Sequence, residues 1–439
     1  MCPSTWSETS INFKSKLLEH THPPIVPEYR KYQLDNGLTV LLQRDTQTSM
    51  VAVCVLYKVG SRDEQANKTG IAHLFEHLMF SNCGPGIDFD EILQDAGGEC
   101  NAFTTPDTTQ YYSIAPAAQL DMLLALEANR ISGFHVTKKD FNTQQRVVVE
   151  EFSEIYLNNP YGMFTHHLMD LAYKVHPYRW PVIGFNQEQL KTLRMEDAEN
   201  FYNTYYSPSN AILVINGNLD WESTKQLVEK HFGPIPAGPM LSRYYPAEPP
   251  MTEKRSLTIT RDLPEEGFYF AFPYCGRMDP DFYAVDFMTD MLSEGKSSML
   301  YSRLKKEKLI CSGIDCYITS TSDPGLIIVE GKINPGHRIE EAEAEFWKII
   351  HDLQHEPIPE RTWEKYMNKN ESAYLFSQLG VMNQALNLSY AEWLGNPDLV
   401  YTELENYKKL TRDQIHDAAR RYFNSEQYCS LYYRNPIGG

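Results

Sequence analysis

The alternation of apolar and polar residues predicts a chain of mixed strands and helices. Residues 38–45 and 50–60 are β-prone apolar runs, and residues 97–116 contain two such runs on either side of a Pro-Asp turn. Helical spacing follows over residues 117–132, 139–158 and 161–174. The pattern predicts an α+β fold, in which mostly antiparallel sheets pack against helices.

Residues 70–80, GIAHLFEHLMF, have the apolar spacing of an amphipathic helix. Positions i, i+3, i+4, i+7 and i+8 are Ile71, Leu74, Phe75, Leu78 and Met79. At about 100° per residue, His73, Glu76 and His77 fall on the opposite side. This helix is therefore predicted to carry a separate polar face.

Two histidines four residues apart on one helix face can bind the same metal ion. Glu76 lies between His73 and His77 and is placed to act on a metal-bound water rather than as a ligand. The spacing is the His-x-x-Glu-His signature of inverted zinc peptidases. A solvated face on a surface helix remains the alternative, and a third ligand would decide between them.

A candidate third ligand occurs in residues 143–160, which have the pattern of a helix. Its expected apolar stripe consists of Val148, Phe152 and Ile155, and its solvated carboxylates are Glu150 and Glu154. Glu151 falls at the edge of the buried stripe. Because a buried carboxylate is costly unless it is paired or bound to metal, Glu151 is the expected third ligand. Two histidines and one glutamate leave a fourth zinc position open for water.

Residues 193–218 and 410–435 share one pattern: a helix, an aromatic pair, a short polar turn and an apolar strand. The offset of 217 is close to half the chain and indicates two tandem homologous domains. We expect an N-terminal zinc-binding domain at 1–235, a Pro/Gly-rich linker at 236–250 and a non-catalytic C-terminal domain at 251–439. The second half contains no His-x-x-Glu-His.

Composition excludes several classes of function. The net charge of −18 argues against nucleic-acid binding, and no apolar run approaches the length of a membrane span. The eight cysteines show no CxxC pair or framework spacing, as in a reducing compartment. The first twenty residues lack the layout of a secretory signal. We therefore expect a cytoplasmic protein, or a periplasmic one if a signal sequence has been removed.

Longer motifs carry a family resemblance. The stretch GGECNAFTTPDTTQYY is similar to a GGxxNAxTxxDxTxYY strand segment, and HPYRWPVIG is similar to an HPYxxPxxG loop. With the His-x-x-Glu-His helix and the Val-rich helix ending in Glu151, the chain resembles the pitrilysin and mitochondrial processing peptidase family of inverzincin zinc peptidases. It is similar to the short, two-domain subunits of bacterial type. The resemblance implies a clam-shell of four related domains, formed by two chains, around short or unfolded peptides.

The resemblance also implies residue roles. The zinc ligands correspond to His73, His77 and Glu151, and the general base corresponds to Glu76, which activates a zinc-bound water. Asn101 and Ala102 lie on the strand that pairs with the substrate backbone.

Two positions depart from the family pattern. Gln144 stands where many members carry Glu, which changes the surroundings of the metal ligands. Lys305 and Ser312 stand where active single-chain members carry an Arg and a Tyr that bind peptide carbonyls. We therefore expect a second subunit of the family that supplies the Arg/Tyr pair. The alternative is a homodimer in which Lys305 or Arg303 serves instead.

The leading hypothesis is a zinc endopeptidase subunit. A non-catalytic, zinc-stabilised scaffold or core subunit of the same family is the alternative from another class. A zinc hydrolase with non-peptide substrates is a weaker third.

Overall fold

The computed structural model describes residues 28–436 apart from Cys83, Pro85 and Gly86. The N-terminal residues on which the expectation about a signal sequence depends lie outside this part of the chain. Within it, the strands form two sheets, one in each half of the chain.

The first sheet has the strand order β1-β2-β6-β3-β5-β4. All neighbours are antiparallel except β2 and β6, which run parallel. The strands predicted in residues 38–45, 50–60 and 97–116 are confirmed. The strands are β1 (Tyr29–Gln33), β2 (Thr39–Arg44), β3 (Met50–Tyr57), β4 (Glu99–Thr104), β5 (Thr109–Pro116) and β6 (Ala211–Gly217).

Eight α-helices accompany this sheet in the described part of the first half. They are α1 (Ile71–Leu78), α2 (Phe89–Asp95), α3 (Leu120–Ser132), α4 (Lys138–Phe152), α5 (Phe164–Ala172), α6 (Gln187–Thr192), α7 (Met195–Tyr205) and α8 (Trp221–Phe232). Apolar side chains of α1, α3 and α4 pack with one face of the sheet in a single core. This confirms the predicted helix over residues 70–80.

The predicted apolar stripe of α4 is wrong at one position. Val148 and Phe152 are buried, but Ile155 is 47% exposed. After Phe152 the helix continues as a π-helical segment, Ser153–Leu157. A π turn contains more residues than an α turn, so it rotates the following side chains out of the stripe.

The second sheet has the order β7-β11-β8-β10-β9, with β7 and β11 parallel and the other pairs antiparallel. Its strands are β7 (Arg255–Thr260), β8 (Gly267–Pro273), β9 (Cys311–Ile318), β10 (Leu326–Ile333) and β11 (Cys429–Arg434). Its helices are α9 (Phe282–Ser293), α10 (Ile339–His355), α11 (Glu360–Ser377), α12 (Val381–Trp393), α13 (Leu399–Lys408) and α14 (Arg412–Tyr422).

The two sheets repeat one topology, which confirms the predicted tandem homology. The last strand of each half, β6 or β11, lies between a parallel and an antiparallel neighbour. Helices α7 and α14, whose sequences suggested the repeat, precede these strands at the same offset. The first sheet has β1 in addition.

The halves exchange one helix each. Helix α5 packs its Leu168 and Ala172 against the second sheet, next to Leu431. Helix α12, which begins 217 residues after α5, packs its Ala385 and Leu388 against the first sheet. Each sheet is therefore covered on one face by its own helices and on the other by a helix from the opposite half.

A long segment without helix or strand joins α8 to β7, and it includes the predicted linker at residues 236–250. The domain bounds themselves stay a prediction. No helix in residues 28–436, as far as they are described, is long and apolar enough to cross a membrane.

Candidate metal centre

Helix α1 is fixed at its N-terminus by a buried carboxylate. Glu64 accepts hydrogen bonds from the backbone N–H groups of Gly70 and Ala72, at 2.9 and 2.8 Å. Since the first N–H groups of a helix have no partner within the helix, this carboxylate satisfies two of them and complements the helix dipole. Leu74, Phe75 and Leu78 anchor the opposite face of the helix in the core.

A glycine contact sets where α1 begins. Gly70 has φ +87°, and a Cβ there would lie 2.6 Å from the Ile183 carbonyl oxygen. Gly184 has φ +105° and packs against Gly70. Both positions need glycine, because other residues rarely adopt these angles and a Cβ would collide. Gly184, the last residue of the HPYRWPVIG segment, therefore packs directly against the start of α1.

The three predicted ligands converge. His73 Nε2 lies 3.8 Å from Glu151 Oε1, and His77 Nε2 lies 3.6 Å from Glu151 Oε2. One ligand atom from each of the three residues lies within 4.8 Å of the other two. Among the described residues this is the one group of three or more His, Cys, Asp or Glu side chains so arranged.

This donor set fits zinc. With bonds of about 2.0–2.1 Å, the ligands of a tetrahedral zinc site lie roughly 3.3 Å apart, and small rotations of the side chains would close the observed gaps. Two imidazoles and one carboxylate leave a fourth position free, as in catalytic rather than structural zinc sites. The assignment of His73, His77 and Glu151 as ligands stays a prediction, which this geometry supports.

Burial favours the uncharged form of each proposed ligand. Desolvation, followed by the neighbouring His77, lowers the pKa of His73 to about 4. Desolvation also lowers the pKa of His77, against a hydrogen bond with Gln144. Neutral imidazole is the form that binds metal, so both rings are ready ligands at neutral pH. Desolvation and then the charge of Glu76 raise the pKa of Glu151.

Glu76 is held beside this group by the edge strand. The Thr104 hydroxyl donates to Glu76 Oε2 at 2.7 Å, from the last residue of β4. Burial raises the pKa of Glu76, and the hydrogen bonds from Thr104 act in the opposite direction. A carboxylate with a raised pKa is suited to accept and return a proton near neutral pH.

Strand β4 forms the end of the first sheet and pairs with β5 alone among the described strands. Asn101 is exposed and Ala102 is buried along this strand. Their backbone lies on the same strand as Thr104, so an extended peptide added to the free edge of β4 would pass the polar face of α1. The binding of substrate by Asn101 and Ala102 stays a prediction.

The second half offers no comparable metal site in its described residues. Helix α9 occupies the place of α1 in the topology; Asp290 lies in its last turn, and Glu294 directly follows its last residue. The Lys369 ammonium, on α11, donates to Glu294 Oε1 at 2.8 Å. In the second half, a lysine of α11 thus contacts a carboxylate at the end of α9. In the first half, Glu151 of α4 faces the two histidines of α1.

Lys305 and Ser312, the two positions of the second half that depart from the family pattern, both contact neighbouring side chains. Ser312, on β9, donates its hydroxyl to Glu265 Oε2 at 2.8 Å. Lys305 lies in a π-helical segment, Tyr301–Glu307, next to the Tyr301 ring. Arg303, the alternative considered for the homodimer, binds Glu345 and Asp352 at 3.0 and 3.3 Å. These carboxylates hold the Arg303 guanidinium within its own half.

Sequence reasoning missed three residues around the site. Thr104 and Asp107 lie within the GGECNAFTTPDTTQYY stretch, so the family-like motif could have identified them. No local pattern in the sequence indicates Glu64. His166 and His176 do not join the metal group, because their rings hydrogen-bond to backbone groups of Gly184 and Tyr178.

Comparison with known proteins identifies the family. A family model described as insulinase, peptidase family M16, matches residues 39–184, and one described as peptidase M16 inactive domain matches residues 192–370. The chain belongs to peptidase family M16, which includes the pitrilysin and mitochondrial processing peptidase relatives. Among curated proteins, it is similar to the zinc protease PqqE of Helicobacter pylori, with 29% identity over 93% of each chain.

Two further relatives extend the comparison. A probable mitochondrial-processing peptidase subunit beta of Arabidopsis thaliana is 27% identical over 63% of this chain and 52% of that protein. The crystal structure of a protease from Helicobacter pylori superposes with a TM-score of 0.87 at 26% identity, over 93% of this chain and 100% of that one. The two-domain M16 fold therefore extends over nearly the whole chain.

Proposed function

We propose that this protein is a zinc endopeptidase subunit that hydrolyses short or unfolded peptides. The observation that carries the proposal is the convergence of His73, His77 and Glu151, with Glu76 alongside and held by Thr104. The names of the relatives, a zinc protease and a processing peptidase subunit, agree with this chemistry.

In this proposal His73, His77 and Glu151 bind zinc, which when present lowers the pKa of a coordinated water and polarises the scissile carbonyl. Glu76 accepts the proton of the attacking water and passes it to the leaving amine. Thr104 fixes the direction of the Glu76 carboxylate. Burial raises the pKa of Glu76, which favours its role in accepting and returning the proton.

The peptide would bind as an additional strand on the free edge of β4. Main-chain hydrogen bonds of this kind give affinity without requiring a particular sequence. Asn101 and Ala102 would pair with the residues beside the scissile bond. A substrate must be extended to bind in this way, which favours short or unfolded peptides over folded proteins.

The test is cleavage of a quenched fluorescent peptide by the zinc-loaded chain, with and without a chelator. Glu76→Gln should abolish cleavage while zinc content, measured by elemental analysis, stays at one per chain. Glu150→Gln, on the exposed side of α4, is the matched control. Cleavage that a chelator leaves unchanged would contradict a metal mechanism.

We further propose that the chain works as the metal-binding partner in a pair of M16 subunits. Ser312 donates its hydroxyl to Glu265, and Arg303 forms an ion pair with Glu345, so both side chains are engaged within this chain. A partner with the Arg/Tyr pair would supply donors often worth ~2.7–4 kcal/mol each in the transition state. The isolated chain should then bind zinc but cleave peptides slowly, with a large gain when the partner is added. Full activity of the isolated chain, unaffected by Lys305→Ala, would contradict this.

One observation favours a non-catalytic alternative. The absence of the Arg/Tyr pair at Lys305 and Ser312 would suit a scaffold in which zinc joins α1 to α4 and stabilises the fold. In a scaffold, Glu76→Gln would alter nothing measurable, whereas loss of a ligand would lower the melting temperature. Peptide cleavage that depends on Glu76 distinguishes the two functions.

A further inference from the structure

The turn between β4 and β5, residues 105–108, meets the second half of the chain through Asp107. Asp107 is 4% exposed, and its carboxylate accepts two hydrogen bonds and forms one ion pair with partners from three separate segments. Oδ1 lies 2.7 Å from Arg62 and accepts the Tyr178 hydroxyl at 2.6 Å. Oδ2 accepts the backbone N–H of Ser322, in the turn between β9 and β10, at 2.9 Å.

A second carboxylate closes this cluster. Asp323 accepts a hydrogen bond from Arg62 at 3.2 Å, and its backbone N–H donates to the Tyr178 hydroxyl at the same distance. Arg62 and Tyr178 thus each contact both Asp107 and Asp323. The two turns are the same turn of the repeat, and the cluster joins them across the boundary between the halves.

The Asp107 turn continues into the residue that holds the proposed general base. The turn is closed by the Thr105 hydroxyl, which accepts from the N–H groups of Asp107 and Thr108 at 3.1 and 2.9 Å. Thr104 directly precedes it and donates to Glu76. Asp107 lies only three positions after Thr104, so a displacement of the turn displaces the contact between Thr104 and Glu76.

We propose that Asp107 is a positioning residue for Glu76: it fastens the β4–β5 turn to the second half of the chain and so holds Thr104 against the base. This role rests on the proposed peptidase function. It gives the non-catalytic half a part in catalysis, because the N–H of Ser322 sets where the turn lies. The HPYRW segment takes part through Tyr178.

Asp107→Asn is the sharpest probe because it keeps the shape of the side chain and replaces one carboxylate oxygen by an NH2 group. Asparagine has one acceptor oxygen and one NH2 group, so either the Ser322 N–H or the Arg62 and Tyr178 donors would face another donor. Tyr178→Phe is a second, milder variant that removes one donor. Tyr161→Phe is the matched control, since its hydroxyl joins the halves elsewhere, through the Glu265 carbonyl oxygen.

The experiment measures kcat and KM of the zinc-loaded chain, with its partner subunit where one is required, for these variants and for Thr104→Val. Misplacement of a catalytic group by an ångström costs up to about a hundredfold. We expect Asp107→Asn to lower kcat about 10- to 100-fold, with KM and zinc content unchanged and Tyr161→Phe near wild type. Asp107→Asn combined with Thr104→Val should be no slower than Thr104→Val alone.

A kcat for Asp107→Asn equal to that of Tyr161→Phe, or multiplicative losses in the double variant, would overturn the proposal. Hydrogen exchange separates this failure from failure of the proposed function, because it needs no activity. Faster amide exchange in residues 104–109 of Asp107→Asn, but not of Tyr161→Phe, supports the anchoring even if no peptide is cleaved. Equal exchange in the two variants would refute it.

Discussion

Thr104 Oγ1 lies 2.7 Å from Glu76 Oε2, so a hydrogen bond joins strand β4 to helix α1. The donor is the last residue of β4 and the acceptor lies one turn from the end of α1. This contact links the proposed substrate edge to the proposed general base, and its loss should be visible in the kinetics.

Thr104→Val removes the hydroxyl and keeps the shape of the side chain. A hydrogen bond to a charged group contributes about 1.5–3 kcal/mol, so kcat should fall about ten- to a hundredfold. Zinc content should not change, because Thr104 touches no proposed ligand. The measurement is steady-state cleavage of a fluorescent peptide, with Thr143→Val on the exposed face of α4 as control. A variant with wild-type kcat would show that Glu76 needs no such support.

Glu151→Gln should weaken zinc binding far more than Glu150→Gln. The Glu151 side chain is 32% exposed and faces both imidazoles, whereas Glu150 is exposed on the other side of the helix. The neutral amide loses the charge that attracts the cation. Competition with a chromogenic chelator gives the two affinities. Equal affinities would refute Glu151 as the third ligand.

Gln144 should tune the affinity for zinc through His77. Its hydrogen bond to the His77 ring acts against the effect of burial on the pKa of that ring. Removal of such partners typically costs 10- to 100-fold in metal affinity, which we expect for Gln144→Ala. Gln144→Glu should tighten zinc binding, because a carboxylate makes the imidazole a stronger ligand. The same chelator competition measures both, and a Gln144→Ala affinity equal to wild type would contradict the role.

The site illustrates what sequence can and cannot predict. Helix α1 was predictable because its apolar stripe and its polar face are both set by residues within two turns. The inward placement of Glu151 was predictable from its position at the edge of a stripe, whereas the π-helical segment turns Ile155 out of that stripe. A π turn depends on the packing around it rather than on a local pattern.

The connections between the halves were not predictable. The sequence indicated the repeat through α7 and α14, but the exchange of α5 and α12 depends on contacts between residues that are far apart in the sequence. The proposed role of Asp107 likewise depends on its hydrogen bond with the Ser322 N–H, and no sequence spacing indicates that contact. Local periodicity reports which face is buried and not which surface buries it.

Asp290 should make the second half less stable as the pH rises. Burial, and then Asp286 and Glu294, raise its pKa to about 7. A carboxyl whose pKa is raised on folding destabilises the fold progressively from about pH 4 to 7, because the unfolded chain ionises first. The free energy of unfolding of Asp290→Asn should therefore exceed that of wild type by about 1–2 kcal/mol at pH 8, with a smaller difference at pH 5. Urea unfolding at both values measures this, with the exposed Asp262→Asn as control; a gap that does not change with pH would contradict it.

We propose that His73, His77 and Glu151 bind a zinc ion and that Glu76 accepts a proton from the attacking water. Peptide cleavage by wild type and Glu76→Gln, at equal and verified zinc content and with the partner subunit present, tests this. We expect chelator-sensitive cleavage by wild type and a loss of at least a hundredfold in kcat for Glu76→Gln with zinc still bound. Equal cleavage by the two zinc-loaded proteins would contradict it.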